Sequence, residues 1–287
     1  MFSLDSLRLP TPTWASSLSL ALASDIAYQS FTVMQATTRA WGLPQFHPLD
    51  HAGTQGFVAI APDVVLIAFR GTQEPGDIID DIDLSQTARP YGQVHSGFLG
   101  AYNVIESDLD NILRALPAPG MKIWLTGHSL GGAVATIAAA EQAGRVAFAG
   151  IQTFGQPRVG DEAVADFFDQ NFRGLFTRFV NNNDIVPRIP PGFEHVGNLV
   201  HFAEDGSVAR EAVRAAIAAR EPRPLSRPEF EALRAQTRTL RTSSALVPPA
   251  NRRAFVSSGL EFSFPSFLDH RLARYIEILT RLAAGSA

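Results

Sequence analysis

The stretch that decides the fold is KIWLTGHSLGGAVATIAAAE, residues 122–141. Its first five residues form a short, mainly apolar run typical of a buried strand, and its second half is rich in Ala, which favours a buried helix. Between them, Ser129 stands in a G-x-S-x-G sequence with Gly127 and Gly131. Because strand, sharp turn and helix follow one another, the pattern predicts a nucleophile elbow with an exposed serine hydroxyl at the carboxyl end of a central strand.

The glycines of this motif have a steric role. A serine on so sharp a turn has a strained backbone, so Gly127 and Gly131 give it room, and Gly132 lets the helix approach closely. The alternative is a glycine-rich turn with a solvated serine. That alternative does not explain why two glycines flank Ser129 at these spacings.

Composition excludes several classes of function. The chain has 287 residues, of which 46% are hydrophobic and 18% charged, and this fits one large α/β domain or two small ones. It contains no Cys, so disulfides, thiolate catalysis and Cys-ligated zinc are excluded. The net charge of −4 gives no reason to expect nucleic acid or an anionic membrane as a partner. No apolar run approaches the length of a transmembrane helix, while compartment and oligomeric state stay open.

Residues 16–23 are moderately apolar and allow two interpretations. Ala21-Leu22-Ala23 resembles a signal-peptide cleavage site, but Asp5, Pro10 and Pro12 precede the apolar run, which is atypical of a signal peptide. We therefore expect a packed first helix here.

Charge is unevenly spread along the chain. Residues 1–205 carry 11 Lys/Arg and 21 Asp/Glu, whereas residues 206–287 carry 13 Lys/Arg and 7 Asp/Glu. Two Arg-rich stretches, near 208–220 and 227–241, have a helical composition but too little apolar surface for a core of their own. We predict a single domain over the whole chain, with a helical insertion at 206–253.

The other segments alternate between strand and helix patterns. Strand patterns occur at 56–61, 64–70, 122–126, 146–154, 176–180 and 196–202, and helix patterns at 13–40, 98–116, 132–143, 161–170 and 267–282. This alternation predicts an α/β fold with a mainly parallel central sheet and helices on both faces. Reactive residues are then expected on loops at the carboxyl ends of the strands.

A serine nucleophile needs a base, and the base needs a carboxylate to orient it. In the order Ser, acid, His of an α/β-hydrolase sheet, His270 follows the last strand at the start of the closing helix, and His195 is its rival. The candidate acid is Asp184, directly after the strand that ends at Val180, because Asp161 suits a helix N-terminus better. The other histidines are interpreted as structural residues: His47, His51, His95, His128 and His201.

Two backbone N–H groups must stabilise the negative charge that develops in such a reaction. Leu130 directly follows the serine, and Thr72 follows Gly71 at the end of an earlier strand, so these two residues are the candidates. Taken alone, Arg70-Gly71-Thr72 is more simply interpreted as a turn.

Together these residues carry a family resemblance. The matching segments are Phe69-Arg70-Gly71-Thr72, Val94-His95-Ser96-Gly97-Phe98, Gly127-His128-Ser129-Leu130-Gly131-Gly132, Thr153-Phe154-Gly155-Gln156-Pro157-Arg158-Val159-Gly160, Asn183-Asp184-Ile185-Val186-Pro187 and Asp269-His270. In type and order they resemble the class 3, or fungal-type, triacylglycerol lipases.

The resemblance implies an α/β-hydrolase fold and ester hydrolysis without a cofactor or metal ion. It implies a triad of Ser129, Asp184 and His270, with Thr72 and Leu130 at the oxyanion hole. It also makes the segment around His195 structural. The chain departs from the family in carrying Ile78 where a Trp is usual, in the insertion at 206–253, and in lacking the disulfides of the fungal enzymes.

Residues 77–83 place Ile78, Ile79 and Ile82 on one face of a short helix and aspartates on the other. In the resembled family, a short amphipathic helix after the oxyanion residue covers the site, so these isoleucines are candidates for a lid that contacts substrate or lipid. A helix packed permanently on the core has the same pattern, and both interpretations stay open. We also hypothesise that the basic insertion pairs with the aspartates of this segment.

The expected function is that of a serine carboxylic ester hydrolase, a lipase acting on acylglycerols or similar lipid esters at a lipid–water interface through an acyl-enzyme. Short-chain esterase and phospholipase A1 activities are alternatives on the same site, and peptidase or thioesterase activity is an alternative on the same fold. A non-catalytic acyl-binding or interaction protein requires a missing triad member, and all three candidates are present in the sequence.

Overall fold

The computed structural model describes residues 1–72, 78–79, 82–117, 120–205, 207–211, 222–263 and 266–285. Its strands are β1 (Gln45–His51), β2 (Thr54–Ile60), β3 (Val64–Phe69), β4 (Gln86–Arg89), β5 (Gly92–His95), β6 (Lys122–His128), β7 (Phe148–Phe154), β8 (Phe176–Asn181), β9 (Asn198–Phe202) and β10 (Val208–Glu211). Eight of them form one sheet in the order β1-β2-β3-β6-β7-β8-β9-β10, and β4 and β5 form a separate hairpin.

The centre of this sheet is parallel and its edges are antiparallel. Strands β3, β6, β7, β8 and β9 pair with one another in parallel. Strands β1, β2 and β10 are added in antiparallel pairing at the two edges. The predicted α/β fold with a mainly parallel central sheet is therefore confirmed.

Helices cover both faces of the sheet. They are α1 (Leu4–Arg8), α2 (Trp14–Ile26), α3 (Phe31–Ala40), α4 (Ser96–Asn103), α5 (Glu106–Arg114), α6 (Leu130–Glu141), α7 (Glu162–Asn171), α8 (Arg227–Ser244), α9 (Arg252–Ser263), α10 (Ser266–Asp269) and α11 (Leu272–Ala284). Residues of α2 and α11 share one apolar cluster with one face of the sheet. Residues of α4, α6 and α7 share a second cluster with the opposite face.

Strand β3 shows how the sequence produces these two layers. All six of its residues are buried, and their side chains alternate between the faces. Val64, Leu66 and Ala68 belong to the α2 and α11 cluster, whereas the residues between them belong to the α6 cluster. A strand covered on both faces has no polar side to expose, which explains its continuous apolar sequence.

The prediction of a packed N-terminal helix at residues 16–23 is confirmed. Helix α2 spans Trp14–Ile26 and begins with a capping box in which Thr13 and Ser16 exchange hydrogen bonds. Leu18 and Leu20 are buried against the sheet.

The prediction of a helix near 208–220 is wrong for residues 208–211, which are the part of this segment that the structure describes. Residues Val208–Glu211 form strand β10, antiparallel to β9, and residues 212–221 lie outside the described residues. The turn before β10 is closed by a hydrogen bond from the Ala203 N–H to the Ser207 carbonyl. Strand β9 offers an open sheet edge here, and its ladder of hydrogen bonds outweighs a weak local preference for helix.

Two long helix predictions are also corrected. The pattern at 98–116 is divided into α4 and α5, which are separated by Val104 and Ile105. The pattern at 267–282 is divided into α10 and α11, and His270 lies in the turn between them. Helical spacing continues across both breaks in the sequence, so the breaks are set by packing and by the hydrogen bonds of the turns.

The basic segment contributes two helices. The predicted helix at 227–241 is confirmed as α8, and α9 extends beyond the predicted end at residue 253. Phe230 and Leu233 of α8, with Val256 and Leu260 of α9, are buried in the same apolar cluster as the core around α6.

Candidate active site

The elbow motif joins β6 to α6. Ser129 has a φ of 59°, which is a strained backbone conformation for a residue with a side chain. Its N–H donates a hydrogen bond of 2.9 Å to the Phe154 carbonyl of the neighbouring strand. The predicted exposure of its hydroxyl is wrong, because Ser129 is fully buried, and a Cβ atom added at Gly71 would lie 3.2 Å from the Cβ atom of Ser129.

The elbow requires glycine at position 127, and this requirement gives a stability prediction. A Cβ atom at Gly127 would overlap the carbonyl group of Gly131, which is backbone and cannot rotate away. We expect Gly127→Ala to lower the free energy of unfolding by about 3 kcal/mol, measured by urea denaturation. Gly100→Ala is the control, because Gly100 lies in α4 with open space at its Cβ position, and it should raise stability slightly. A Gly127→Ala protein as stable as the wild type would contradict this account of the turn.

The structure brings Asp184 and His270 together. The imidazole Nδ1 lies 3.0 Å from both carboxylate oxygens of Asp184, and both side chains are buried. Asp184 follows strand β8, and His270 is held in the turn between α10 and α11. Gly155 approaches this pair with a φ of 57°, and a Cβ atom there would lie 2.8 Å from Nδ1 of His270. Because a carboxylate accepts hydrogen bonds, Nδ1 carries the proton of the imidazole. Nε2, on the other side of the ring, is then unprotonated and can accept a proton.

Two further groups donate hydrogen bonds to the buried carboxylate of Asp184. The Tyr275 hydroxyl donates to Oδ2 of Asp184 at 2.6 Å, and the Val186 N–H donates to Oδ1 at 2.9 Å. Burial raises the pKa of Tyr275 well above its ordinary value, with the negative charge of Asp184 as a second cause. Tyr275 is a site residue that the sequence reasoning missed. Its only signal was its position one turn into the helix after His270.

The two atoms that a proton relay must join are both unpaired. Among the described residues, Oγ of Ser129 and Nε2 of His270 are buried and make no hydrogen bond. The hydrogen bonds from His270 to Asp184 and from the Ser129 N–H to Phe154 hold the two residues in place. The hydrogen bond between Oγ of Ser129 and Nε2 of His270 is not formed. Such bonds are often long in proteins without substrate and shorten in the complex.

Thr72 and Leu130 line one small cavity beside the serine. It has a volume of about 130 Å³, and its other walls are mainly apolar and include Ile82, Phe98 and Pro157. Leu130 is the first residue of α6, so its N–H has no carbonyl of a preceding helical turn to bind. Thr72 also lines a second cavity of about 320 Å³, on the side of His270.

The three isoleucines of the lid candidate are buried. Ile79 is fully covered, and Ile78 and Ile82 line the apolar cavity. Ile78 also borders the second cavity, so it lies between the two. The aspartates at 77, 80 and 81 lie outside the described residues. The hydroxyl of Ser85 chiefly holds the pKa of Asp83 below its ordinary value, and the charge of Arg234 on α8 acts in the same direction.

The rival candidates have other partners. His195 Nε2 donates to the Pro187 carbonyl at 2.7 Å, and Asp161 caps α7 by accepting a hydrogen bond from the Val164 N–H. His95 and His201 donate to backbone carbonyls, in agreement with their interpretation as structural residues. His128 contacts His270 directly, which the sequence did not reveal.

Within the part of the chain that the structure describes, no helix combines the length and the apolar character needed to cross a membrane.

Comparison with known proteins agrees with this geometry. The family model for Lipase (class 3) matches residues 66–194. The chain is 35% identical to a lipase of Rhizomucor miehei over 147 residues, 46% of this chain and 40% of that protein. It is 39% identical to the secreted mono- and diacylglycerol lipase 1 of Fusarium solani over 107 residues, 36% of this chain and 32% of that protein. The chain thus spans less than half the length of these curated relatives.

A solved structure extends the likeness to the fold. The lipase from Rhizopus microsporus var. chinensis superposes with a TM-score of 0.58 at 27% sequence identity, over 77% of this chain and 87% of that chain. The matched family model covers the elbow, the strand of Thr72 and the loop of Asp184. Residues 66–194 are therefore similar to the class 3 lipase family, and the fold of the chain is that of the α/β-hydrolases.

Proposed function

We propose that this protein is a serine carboxylic ester hydrolase, a lipase in which Ser129, Asp184 and His270 form the catalytic triad. The observation that carries the proposal is the buried, hydrogen-bonded pair of Asp184 and His270, whose backbone is bonded to His128, the residue before a serine held in a strained elbow. An imidazole oriented by a buried carboxylate, with its other nitrogen unpaired, is equipped to take a proton from a hydroxyl.

The reaction follows from this arrangement. Oγ of Ser129 attacks the ester carbonyl, and its proton passes to Nε2 of His270. The N–H groups of Thr72 and Leu130 hold the oxyanion, and His270 then gives the proton to the departing alcohol. A water molecule, deprotonated by His270, attacks the acyl-enzyme; the bond to Oγ of Ser129 breaks, His270 returns the proton to Oγ, and the carboxylic acid is released. Asp184 stabilises the imidazolium that forms in each half of the reaction without accepting its proton.

We assign the two cavities to the two parts of the ester substrate. The apolar cavity beside Leu130 suits the acyl chain, and the larger cavity is lined by polar groups that include Tyr28, His128 and Arg271, which suits the alcohol part of the ester. We propose that Ile78 and Ile82 belong to a lid, because the cavity that they close is small and their outward movement would lengthen it.

A chain-length series of nitrophenyl esters, from butyrate to palmitate, tests this function. We expect the wild type to hydrolyse the short esters in true solution, since they fit the closed cavity, and the long esters chiefly above the concentration at which they aggregate. A rise in rate at the aggregation point indicates a lipase with a moving lid. A smooth dependence on concentration for every ester would instead indicate an esterase with a fixed helix.

The same series separates the other candidates. Phosphatidylcholine with release of the first acyl chain tests phospholipase A1 activity, and peptide and thioester panels test those reactions on the same fold. Failure to hydrolyse any ester would favour the non-catalytic acyl-binding interpretation.

We propose that the whole chain forms one domain in which the helical insertion steadies the lid. Its buried residues in the common core support this proposal, as does the positive charge of Arg234, which contributes to the lowered pKa of Asp83. Arg234→Ala should make hydrolysis of long esters less sensitive to added salt, because the attraction between Arg234 and the charge of Asp83, which salt screens, is already absent. An unchanged salt response would contradict this role of the insertion.

A further inference from the structure

Two side chains in the lining of the larger cavity have no role in the bond-making and proton-transfer steps of the proposed reaction. Tyr28 lies in the turn after α2, and His128 is the residue before the nucleophile. His128 is buried and Tyr28 is partly buried. Both line the cavity that also contains His270.

These side chains form a continuous set of hydrogen bonds. The Tyr28 hydroxyl and Nδ1 of His128 are 2.9 Å apart, and Nε2 of His128 lies 2.8 Å from the backbone carbonyl of His270. Gly71, next to the candidate oxyanion residue, packs against the Tyr28 hydroxyl so closely that a Cβ atom at Gly71 would overlap it. The rings of His128 and His270 are stacked, with centroids 4.6 Å apart and planes inclined by 29°.

The partners determine the tautomer of His128. A carbonyl can only accept, so Nε2 carries the proton, and Nδ1 is left to accept the proton of the Tyr28 hydroxyl. Burial lowers the pKa of His128 well below its ordinary value, and the charge of His270 adds to the effect. His128 therefore stays neutral, so the imidazolium that forms at His270 is stacked against an uncharged ring.

The backbone of His270 needs such a partner. His270 lies in the break between α10 and α11, and its N–H makes only a 3.2 Å hydrogen bond to the Phe267 carbonyl. The hydrogen bond from Nε2 of His128 holds the backbone carbonyl of His270, and His128 directly precedes Ser129 in the chain. The position of the base is thereby set relative to the nucleophile, although the two side chains are not hydrogen bonded to each other.

We propose that Tyr28 and His128 act as a pair of positioning residues that link the oxyanion loop at Gly71 to the general base His270. The pair transfers no proton and forms no bond to the acyl chain, and it acts by holding Gly71 and His270 in fixed positions relative to each other. This inference rests on the proposed function, since it assigns a role in the same reaction.

Four single variants and one double variant of the whole chain test the pair. Tyr28→Phe removes the hydroxyl, His128→Met removes both ring nitrogens, and His128→Gln keeps an amide N–H that can reach the His270 carbonyl. Tyr102→Phe is the matched control, because Tyr102 is a buried tyrosine with one side-chain partner, Gln142. For each protein, a fluorophosphonate titration counts the reactive serines, and nitrophenyl butyrate gives kcat and KM per titrated site.

We expect Tyr28→Phe and His128→Met each to lower kcat per titrated site by about tenfold, with little change in KM. This loss is smaller than the about hundredfold loss expected when a catalytic group is displaced by about 1 Å. His128→Gln should recover most of the loss. The double variant Tyr28→Phe/His128→Met should lose no more than His128→Met alone, because the two residues act as one unit. A purely structural role would lower the number of titratable sites and the urea midpoint, as in Tyr102→Phe, and leave kcat per site unchanged.

The proposal is overturned if kcat per titrated site stays at the wild-type value in both Tyr28→Phe and His128→Met, or if Tyr102→Phe loses as much as they do. Equal losses in His128→Gln and His128→Met would also overturn it, since the hydrogen bond to His270 would then not matter. Failure of the proposed function has a different signature, because the wild type itself would neither be titrated by the fluorophosphonate nor hydrolyse the ester.

Discussion

Replacing Ser129 with Ala is expected to lower kcat for ester hydrolysis by about six powers of ten, the loss found when a serine hydrolase is deprived of its nucleophile. In the proposed mechanism the hydroxyl is the attacking group, and without it the site retains only binding and oxyanion stabilisation. The fold should be undisturbed, since Ala keeps the Cβ atom. Oγ of Ser129 has no hydrogen-bond partner among the described residues, so its removal leaves no buried group unsatisfied.

The measurements are kcat for nitrophenyl butyrate, with protein freed of contaminating esterases, and the urea midpoint of unfolding. Ser243→Ala is the control, because Ser243 is an exposed serine of α8, and this variant should retain full activity. Substantial turnover by Ser129→Ala, with an unchanged urea midpoint, would show that another residue is the nucleophile.

Asp184→Asn should lower kcat by about four powers of ten, with the protein still folded. Asn has the shape of Asp, but its amide can offer an N–H to Nδ1 of His270. The imidazole would then carry its proton on Nε2, where it can no longer accept the proton of the serine. The lost negative charge also removes the stabilisation of the imidazolium.

Asp269→Asn is the matched control. Asp269 is adjacent to His270 in the chain, and its carboxylate accepts hydrogen bonds from the Asn182 side chain and the Asn183 N–H. Burial raises its pKa. Its amide variant should lose far less activity than Asp184→Asn when kcat is compared across the pH range. If both variants lost the same activity, Asp184 would have no special role as the orienting carboxylate.

Much of the fold could be predicted from local sequence. The G-x-S-x-G motif, between an apolar run and an Ala-rich segment, predicted strand β6, the elbow and helix α6, since only a strand, a turn and a helix satisfy that pattern. The pattern at 64–70 predicted strand β3, and the alternation of strands with helices predicted a sheet covered on both faces. Asp161 was recognised as a helix cap from its position before a helical pattern.

Other features depend on contacts between segments far apart in the chain. Strand β10 was predicted as helix, because the sheet edge that it pairs with is formed by β9 and cannot be read from its own residues. The separation of α4 from α5, and of α10 from α11, was missed for a similar reason. Helical periodicity reports the buried face of a segment, whereas a break in the helix is decided by what lies against it.

By itself the sequence determined which residue types are available for the chemistry, because a strained serine elbow, a carboxylate after a strand and a late histidine each leave a local signature. The tertiary structure alone decided how they meet: the burial of Ser129, the two bonds between Asp184 and His270, and the link from Tyr28 through His128. Side-chain hydrogen bonds depend on distances and angles between elements, and local patterns in one strand or helix carry no information about their neighbours' positions.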